Sequence, residues 1–292
     1  MADRTSGEKN RTQKGTLYLV GTPIGNLADI SERAVKVLSE ADFIAAEDTR
    51  NSLRLLTHFG IQKPLVSYFE HNKTERGPEI VDRLKSGETC ALVTDAGMPA
   101  ISDPGEDLVR LCVEAGVPVS TVPGPCAAIT ALTLSGLPTA RFSFEGFLSA
   151  SKSERRQALS ELSDERRTMI FHEAPHKLKA TLSDMAAAFG EDRRIALCRE
   201  LTKLNEEIIR LTLGEAIAYY NENDPRGEYV LVVEGASRSK AKVCFWEDMS
   251  IREHVLYYVS GGMSKNDAIK SAAKDRKLQK NDVYQEVIDL KV

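Results

Sequence analysis

At 292 residues the chain is long for a single hydrophobic core, so two domains with a small addition are expected. Its 42% apolar and 28% charged residues exclude disordered and fibrous classes, and no apolar run reaches the length of a membrane span. The net charge of -4, taken alone, argues against a nucleic-acid partner.

Residues 1–14, MADRTSGEKNRTQK, are polar and lack the apolar stretch of a secretory signal, which predicts a disordered tail on a cytoplasmic protein. From residue 15 to 125 short apolar runs alternate with helical periodicity. Strands are predicted at Leu17 to Val20, Phe43 to Ala46, Leu65 to Tyr68, Cys90 to Thr94 and Val119 to Val122. Helices are predicted at Ser31 to Leu38, Asn51 to Phe59, Glu79 to Lys85 and Gly105 to Ala115. This alternation predicts a parallel sheet covered on both faces, with ligands at the carboxyl ends of its strands.

Three loops at those ends have unusual composition: GTPIGN (21–26), DAGMPAISDPG (95–105) and PGPCAAI (123–129). The first is no Walker loop, because no Lys-Ser or Lys-Thr pair follows its glycines. Nor is it a dinucleotide fingerprint: Gly21 and Gly25 are four apart, and Pro23 removes an amide that a pyrophosphate would use. Glycine, proline and alanine bring main chain close to a ligand, and Asp95 and Asp103 add acceptors. Carbonyls and carboxylates around one pocket favour a cation, such as a sulfonium.

A second strand and helix series occupies 126–236. Strands at Ser143 to Phe147, Thr168 to Phe171, Arg194 to Cys198 and Tyr229 to Glu234 alternate with helices near Ser153 to Leu162, Lys177 to Phe189 and Gly214 to Tyr220, after a first helix at Ala127 to Ser135. HEAPH (172–176) has the His spacing of a zinc protease, but Pro175 denies the pair a shared helical turn, so no metal is expected. KSERR (152–156), with Arg166 and Arg167, is either a basic face for an RNA backbone or an ordinary charged helix surface.

Residues 237–292 begin with a linker, ASRSKAK (236–242), and continue as three short helices. The first runs from Ile251 to Val259, Ser264 and Asp267 cap the second, and Asn281 or Asp282 caps the third. From Arg238 onward there are 11 Lys and Arg against 8 Asp and Glu, whereas the preceding body has 28 against 35. A positive helix-turn-helix-like module, including Lys274, Arg276, Lys277 and Lys280, is one reading, and a solvated helical appendage is the other. The five cysteines, Cys90, Cys112, Cys126, Cys198 and Cys244, are odd in number and mostly in apolar runs, which predicts reduced, buried thiols. Cys126 has no His beside it and is read as a small space-filler.

LYLVGTPIGNLADIS, IAAEDTR, VTDAGMPAISDPG, VPGPCAAITALTLSGLP, FHEAPHKL, CRELTK and GEYVLVVEG, in that order, resemble the tetrapyrrole methylase superfamily and its ribosomal RNA small subunit methyltransferase I branch. The resemblance implies two α/β domains with S-adenosylmethionine in the cleft between them, a homodimer, and no metal. It implies methylation of a cytidine ribose 2′-oxygen in the decoding region of 16S ribosomal RNA, on the RNA or the small subunit, with no DNA or membrane partner. Motif by motif, it puts Pro23, Ile24, Asp95, Ala96, Gly97, Met98, Ile101, Cys126 and Ala127 at the cofactor, with Glu173 and Leu201 from the second domain. Met98 replaces the acidic residue of the family's loop, so a carboxylate role there is absent or moves to Asp95. A ribose hydroxyl needs alignment, desolvation and help with its proton or charge, for which Lys203, Glu200 and His71 are candidates, while Asp48 and Arg50 border the cleft. The rivals are a tetrapyrrole or protein methylase of the same fold and a non-catalytic RNA-binding assembly factor.

Overall fold

The computed structural model describes residues 11–237, 246, 249–276 and 278–290. Residues 1–10 of the expected tail, residues 238–242 of the expected linker, Cys244 and Lys277 lie outside the described residues. Within the expected tail, Thr12 and Gln13 are tied down: Thr12 donates to Glu40, and the Gln13 amide donates to the Tyr18 hydroxyl. Contacts divide the chain into two units that meet at Ala236 and Ser237.

The first sheet contains β1 (Leu17–Val20), β2 (Phe43–Ala46), β3 (Leu65–Ser67), β4 (Cys90–Val93) and β5 (Val119–Val122), in the order β3-β2-β4-β1-β5, all parallel. Alternate strand residues face opposite sides. Tyr18, Val20, Ile44 and Val93 pack under α1 (Glu32–Glu40) and α2 (Thr49–His58), whereas Leu17, Phe43 and Leu92 pack under α3 (Lys73–Lys85) and α4 (Gly105–Glu114). Burial on both faces explains why these strands read as unbroken apolar runs.

Helix α3 starts at Lys73, earlier than the expected Glu79, and carries Pro78 inside it. The early turn is held without the proline's amide: Asn72 accepts from the Phe69 amide and donates to the Ser67 carbonyl, and Lys73 pairs with Glu70 and Asp107.

The second sheet comprises β6 (Phe142–Phe147), β7 (Thr168–Glu173), β8 (Arg194–Arg199), β9 (Glu207–Thr212) and β10 (Tyr229–Val233), in the order β6-β7-β10-β8-β9. It is mixed: β6 and β7 are parallel and the other pairs antiparallel. The sequence reading missed β9, an edge strand with no fully buried residue, whose Arg210 and Glu207 interrupt the apolar pattern. One face packs on α6 (Lys152–Glu161), α7 (Pro175–Phe189) and α8 (Leu213–Glu222). The other face meets α5 (Ala127–Leu134), which follows the first sheet's last strand yet buries Ala128, Ala131 and Leu132 against Ile170, Cys198 and Val230. That crossing brings the PGPC loop to the second sheet.

The expected basic face of KSERR is corrected at Arg155. Arg155 is 6% exposed and donates to Asp184 Oδ2 from Nε at 2.9 Å and Nη2 at 2.7 Å, while Arg156 Nε donates to Asp184 Oδ1 at 2.7 Å. Arg167 is paired with Glu165. Arg155 is therefore a structural group of the interior, whereas Arg156 and Arg167, though paired, remain on the surface with Lys152 and Arg166.

In the second unit α9 (Ile251–Ser260), α10 (Lys265–Arg276) and α11 (Lys280–Glu286) enclose Val255, Ile269, Ala272, Val283 and Val287. Ser264 caps α10 by accepting from the Asp267 amide, but α11 is preceded by Gln279 and not capped by Asn281 or Asp282. Arg276, expected on an RNA-facing surface, instead donates to His254 Nδ1 and to the Trp246 and Met249 carbonyls. No helix among the described residues is long and apolar enough to cross a membrane.

Candidate active site

The three glycine and proline loops are locked to one another by main chain. Thr22 and Gly97 exchange two amide-to-carbonyl hydrogen bonds at 2.9 and 3.1 Å, an isolated antiparallel bridge joining the first loop to the second. A Cβ on Gly124 would lie 2.8 Å from Gly21 Cα, so the first and third loops approach at a distance only two glycines permit. Asp103 accepts from the amides of Ala100, Ile101 and Gly105, so its carboxylate shapes its own loop and is not the ligand acceptor its composition suggested.

The first loop also meets RELTK from the second sheet. The Asn26 amide donates to Thr202 Oγ1 at 3.1 Å, and a Cβ on Gly25 would lie 2.5 Å from Lys203 Cγ. Among the described residues the non-glycine residues with positive φ are Ala100 and Ser102 on the second loop and Glu200 and Thr202 in RELTK. Left-handed backbone at such residues is costly and persists where surrounding contacts enforce it, commonly at functional sites.

Between the loops and the second sheet lies a cavity of about 460 Å³. Its first-domain wall is Ile24, Ala96, Gly97, Met98, Ile101 and Ser102, and the start of α5 contributes Cys126 and Ala127. The opposite wall includes Phe144, Phe147, His172 and Glu173, then Glu200, Leu201 and Lys203, with Glu228 and Tyr229 at the start of β10. The chemistry of this lining is small or apolar surface with a charged group at one end.

Lys203 Nζ donates to Glu200 Oε1 at 2.9 Å and Glu228 Oε2 at 2.7 Å, and the Glu228 amide donates to Glu200 Oε1 at 2.9 Å. Burial lowers the Lys203 pKa, but the carboxylates of Glu228 and Glu200 outweigh it and hold the ammonium above the ordinary lysine range. Burial likewise raises the Glu200 pKa, and the Lys203 ammonium and Glu228 amide reverse it, so the carboxylate is ionised below its usual range. Two carboxylates against one ammonium leave this end net negative, which suits a bound cation. Glu173 is 3% exposed, and its oxygens accept from Thr181 Oγ1 and the Ala174 amide and pair with Lys177, so they anchor the start of α7.

His172 lies on β7, edge-on to Phe144 at 5.4 Å between ring centres and 5.3 Å from Phe147. Burial holds its pKa below the usual 6.5, against a weaker opposing pull from Glu228. The imidazole is therefore neutral at pH 7. A depressed histidine pKa stabilises the fold fully above pH 6.5, and that stability is lost as pH falls from there through the folded pKa. Protonation also puts positive charge on a wall suited to a cation. Affinity for a cationic ligand should weaken on acidification below pH 6.5, and His172→Gln should flatten this dependence in titrations at several pH values.

Of the residues expected at a cofactor, Ile24, Ala96, Gly97, Met98, Ile101, Cys126, Ala127, Glu173 and Leu201 line this cavity, as do the expected assistants Glu200 and Lys203. Pro23 and Asp95 instead line an adjoining groove on the other side of the Thr22–Gly97 bridge. His71, Asp48 and Arg50 line neither. Asp48 caps α2 and accepts from Arg50 Nε and Nη2, which hold its carboxyl at about 2, and His71 is exposed with its ring near Phe69. Sequence reasoning missed Ser102, Phe144, Phe147, His172, Glu228 and Tyr229. Within HEAPH the resemblance pointed to Glu173, and His172 was considered only as part of a metal pattern; His172 on β7 and His176 on α7 do not share a helix.

Cys90, Cys112 and Cys198 are buried free thiols, and burial pushes their pKa values up to about 12, 11 and 11.

The model of the Tetrapyrrole (Corrin/Porphyrin) Methylases matches residues 16–217. The chain is 50% identical over 277 residues to the ribosomal RNA small subunit methyltransferase I of Halalkalibacterium halodurans, covering 94% of this chain and 96% of that protein. It is 47% identical to the protein of that name from Bacillus subtilis, covering 97% and 98%. Among solved structures it resembles cobalt precorrin-4 methyltransferase, with a TM-score of 0.56 at 19% identity over 75% of this chain and 95% of that one. Uroporphyrin-III-C-methyltransferase from Thermus thermophilus has a TM-score of 0.54 at 20% identity over 75% and 94%.

Proposed function

The chain belongs to the tetrapyrrole methylase family, among the ribosomal RNA small subunit methyltransferase I proteins, and on that footing we propose that it methylates small-subunit ribosomal RNA with S-adenosylmethionine. The finer reading is transfer to the ribose 2′-oxygen of a cytidine in the decoding region of 16S RNA, by a cytoplasmic homodimer that needs no metal. Methylation of small-subunit ribosomal RNA is carried by 47–50% identity over at least 94% of the chain to proteins of that name, and the cytidine ribose target is supported by the resemblance of the ordered motifs. The tetrapyrrole methylase alternative is supported by the family-level match and by fold likeness at 19–20% identity.

The cavity's residues fit this cofactor. Main chain and small side chains at Ala96, Gly97 and Ala127 leave room for a close ligand, the second wall is largely apolar, and the Glu200–Glu228 end suits a sulfonium. When bound, S-adenosylmethionine supplies an electrophilic methyl group. The remaining work falls to the chain's own side chains: to align the ribose oxygen, exclude water and stabilise its charge.

In this reading Lys203 acts as a fixed cation beside the oxygen as it loses its proton, since its ammonium is held charged and cannot serve as a base. Glu200, ionised and hydrogen-bonded, orients Lys203. His172, kept neutral by burial, is available to accept the proton. Ile24, Met98, Ile101, Cys126, Glu173 and Leu201 complete the proposed cofactor surround, while His71, Asp48 and Arg50 serve the RNA side.

The test is incubation with methyl-labelled S-adenosylmethionine and small ribosomal subunits from cells lacking the activity, with the label mapped to nucleotide and atom. Label on a cytidine ribose 2′-oxygen is expected. Label on a base, or none despite cofactor binding, overturns the reading.

A further inference from the structure

The groove on the far side of the Thr22–Gly97 bridge has a different chemistry from the cavity. It encloses about 270 Å³, and its lining includes Thr22, Pro23, Asn51, Arg54, His58 and Asp95. Asn51, Arg54 and His58 lie three and four residues apart on α2, so one face of that helix forms a wall. Arg54 is exposed, with no hydrogen bond or ion pair among the described residues, whereas its neighbour Arg50 is held by Asp48 through two hydrogen bonds. His58 is also exposed, its ring edge-on to Phe59 at 4.8 Å between ring centres.

The lining also includes Asp95, exposed, its side chain without a hydrogen bond or ion pair among the described residues and attracted only at longer range by Arg50. A bare anion would meet the two basic side chains but also that carboxylate. A ribose-phosphate meets all three, because it carries an anion for Arg54 and His58 and hydroxyl donors for Asp95.

The groove also adjoins the cavity through consecutive residues. Pro23 faces the groove and Ile24 the cavity; Asp95 faces the groove and Ala96 the cavity. Consecutive Cα atoms are about 3.8 Å apart, so the bridge is a thin partition. A strand lying in the groove presents its neighbouring sugar at the cavity.

We infer that this groove binds one ribose-phosphate unit of the RNA strand, with the phosphate against Arg54 and His58 and a sugar hydroxyl against Asp95. The inference rests on the proposed RNA substrate and adds where the strand lies.

The experiment uses the full-length protein and its Arg54→Ala, His58→Ala and Arg54→Ala/His58→Ala variants. Both side chains are exposed, so their truncation leaves the core intact. Affinity for a small-subunit RNA fragment containing the methylated site is measured across salt concentrations, S-adenosylmethionine affinity is measured separately, and methyl transfer is followed by label. The double variant should lose RNA affinity on the order of tenfold, and its slope of log affinity against log salt should fall by about one to two. Its cofactor affinity should stay within about twofold, because the groove and cavity have separate walls; Arg54→Lys should restore part of the salt slope.

Unchanged RNA affinity and salt slope in the double variant overturn the inference, even where label still enters RNA. RNA binding that depends on Arg54 without transfer of label supports the groove and overturns the methylation reading. Equal binding of inorganic phosphate and the RNA fragment, competing at the same residues, overturns the ribose-phosphate assignment, as does a wild-type protein that binds no RNA.

Discussion

Asp184→Ala is expected to lower folding stability by about 3–5 kcal/mol, the usual cost of breaking a buried ion pair from one side. The side chains of Arg155 and Asp184 are 7% and 4% exposed, so the remaining Arg155 guanidinium cannot recover its lost partner from water. Arg155 also donates to the Ser149 and Ala150 carbonyls, so losing its anchor should loosen the turn before α6. The check is urea unfolding of both proteins. A loss below about 1 kcal/mol, the range of an exposed pair, would show that water reaches this site. The double replacement Arg155→Met/Asp184→Leu should recover most of the loss, because it removes both charges while keeping apolar volume. The Asp184 pKa is lowered: burial raises it, and hydrogen bonds from Arg156 and Arg155 more than reverse that. Its contribution to stability is therefore complete above the unfolded aspartate pKa near 3.8 and disappears as pH falls through the lower folded value.

Lys203→Met should reduce kcat by about 10²–10³-fold, comparable to removing a donor aimed at charge that develops in the transition state. Cofactor affinity should hold or rise, because the change leaves Glu200 and Glu228 as uncompensated carboxylates beside a cationic ligand. This opposite movement separates assistance to the reaction from simple collapse of the site. Lys203→Arg should keep part of the rate, since it retains the charge but not the compact ammonium that reaches both carboxylates. Single-turnover methyl transfer together with cofactor titration reads both quantities. A loss of kcat under about threefold in Lys203→Met would remove Lys203 from the proposed mechanism.

Much of this site was legible because its signal is local. Gly21, Gly25 and Gly124 mark places where a Cβ would collide with the facing loop, Gly97 takes a left-handed φ, and proline and glycine loops after apolar strands point to one sheet edge. The unremarkable side chains of Ala96, Met98, Cys126 and Ala127 were placed through the resemblance of their loops to the family's motifs. His172 and Glu228 were harder, since each lies within or beside a strand in sequence and becomes a wall only after the second sheet folds against α5. The edge strand β9 was missed for a related reason: without burial it lacks the continuous apolar run that marked the other strands.

The chain's sequence by itself determined the order of strands and helices apart from the edge strand β9, the parallel first sheet, the glycine and proline loops and the family. These follow from periodicity, turn chemistry and ordered motifs, all properties of residues close in the chain. Tertiary structure alone decided which charges are available. The partner of Arg155 is 29 residues away, Asn26 reaches Thr202 across 176, and Arg276 turns inward to His254 across 22. It also decided that Pro23 and Ile24, or Asp95 and Ala96, face different pockets, because a single long-range pairing of Thr22 with Gly97 sets a partition between them. Composition counts charges and small residues, but only the packing of distant segments determines which of them a ligand can reach.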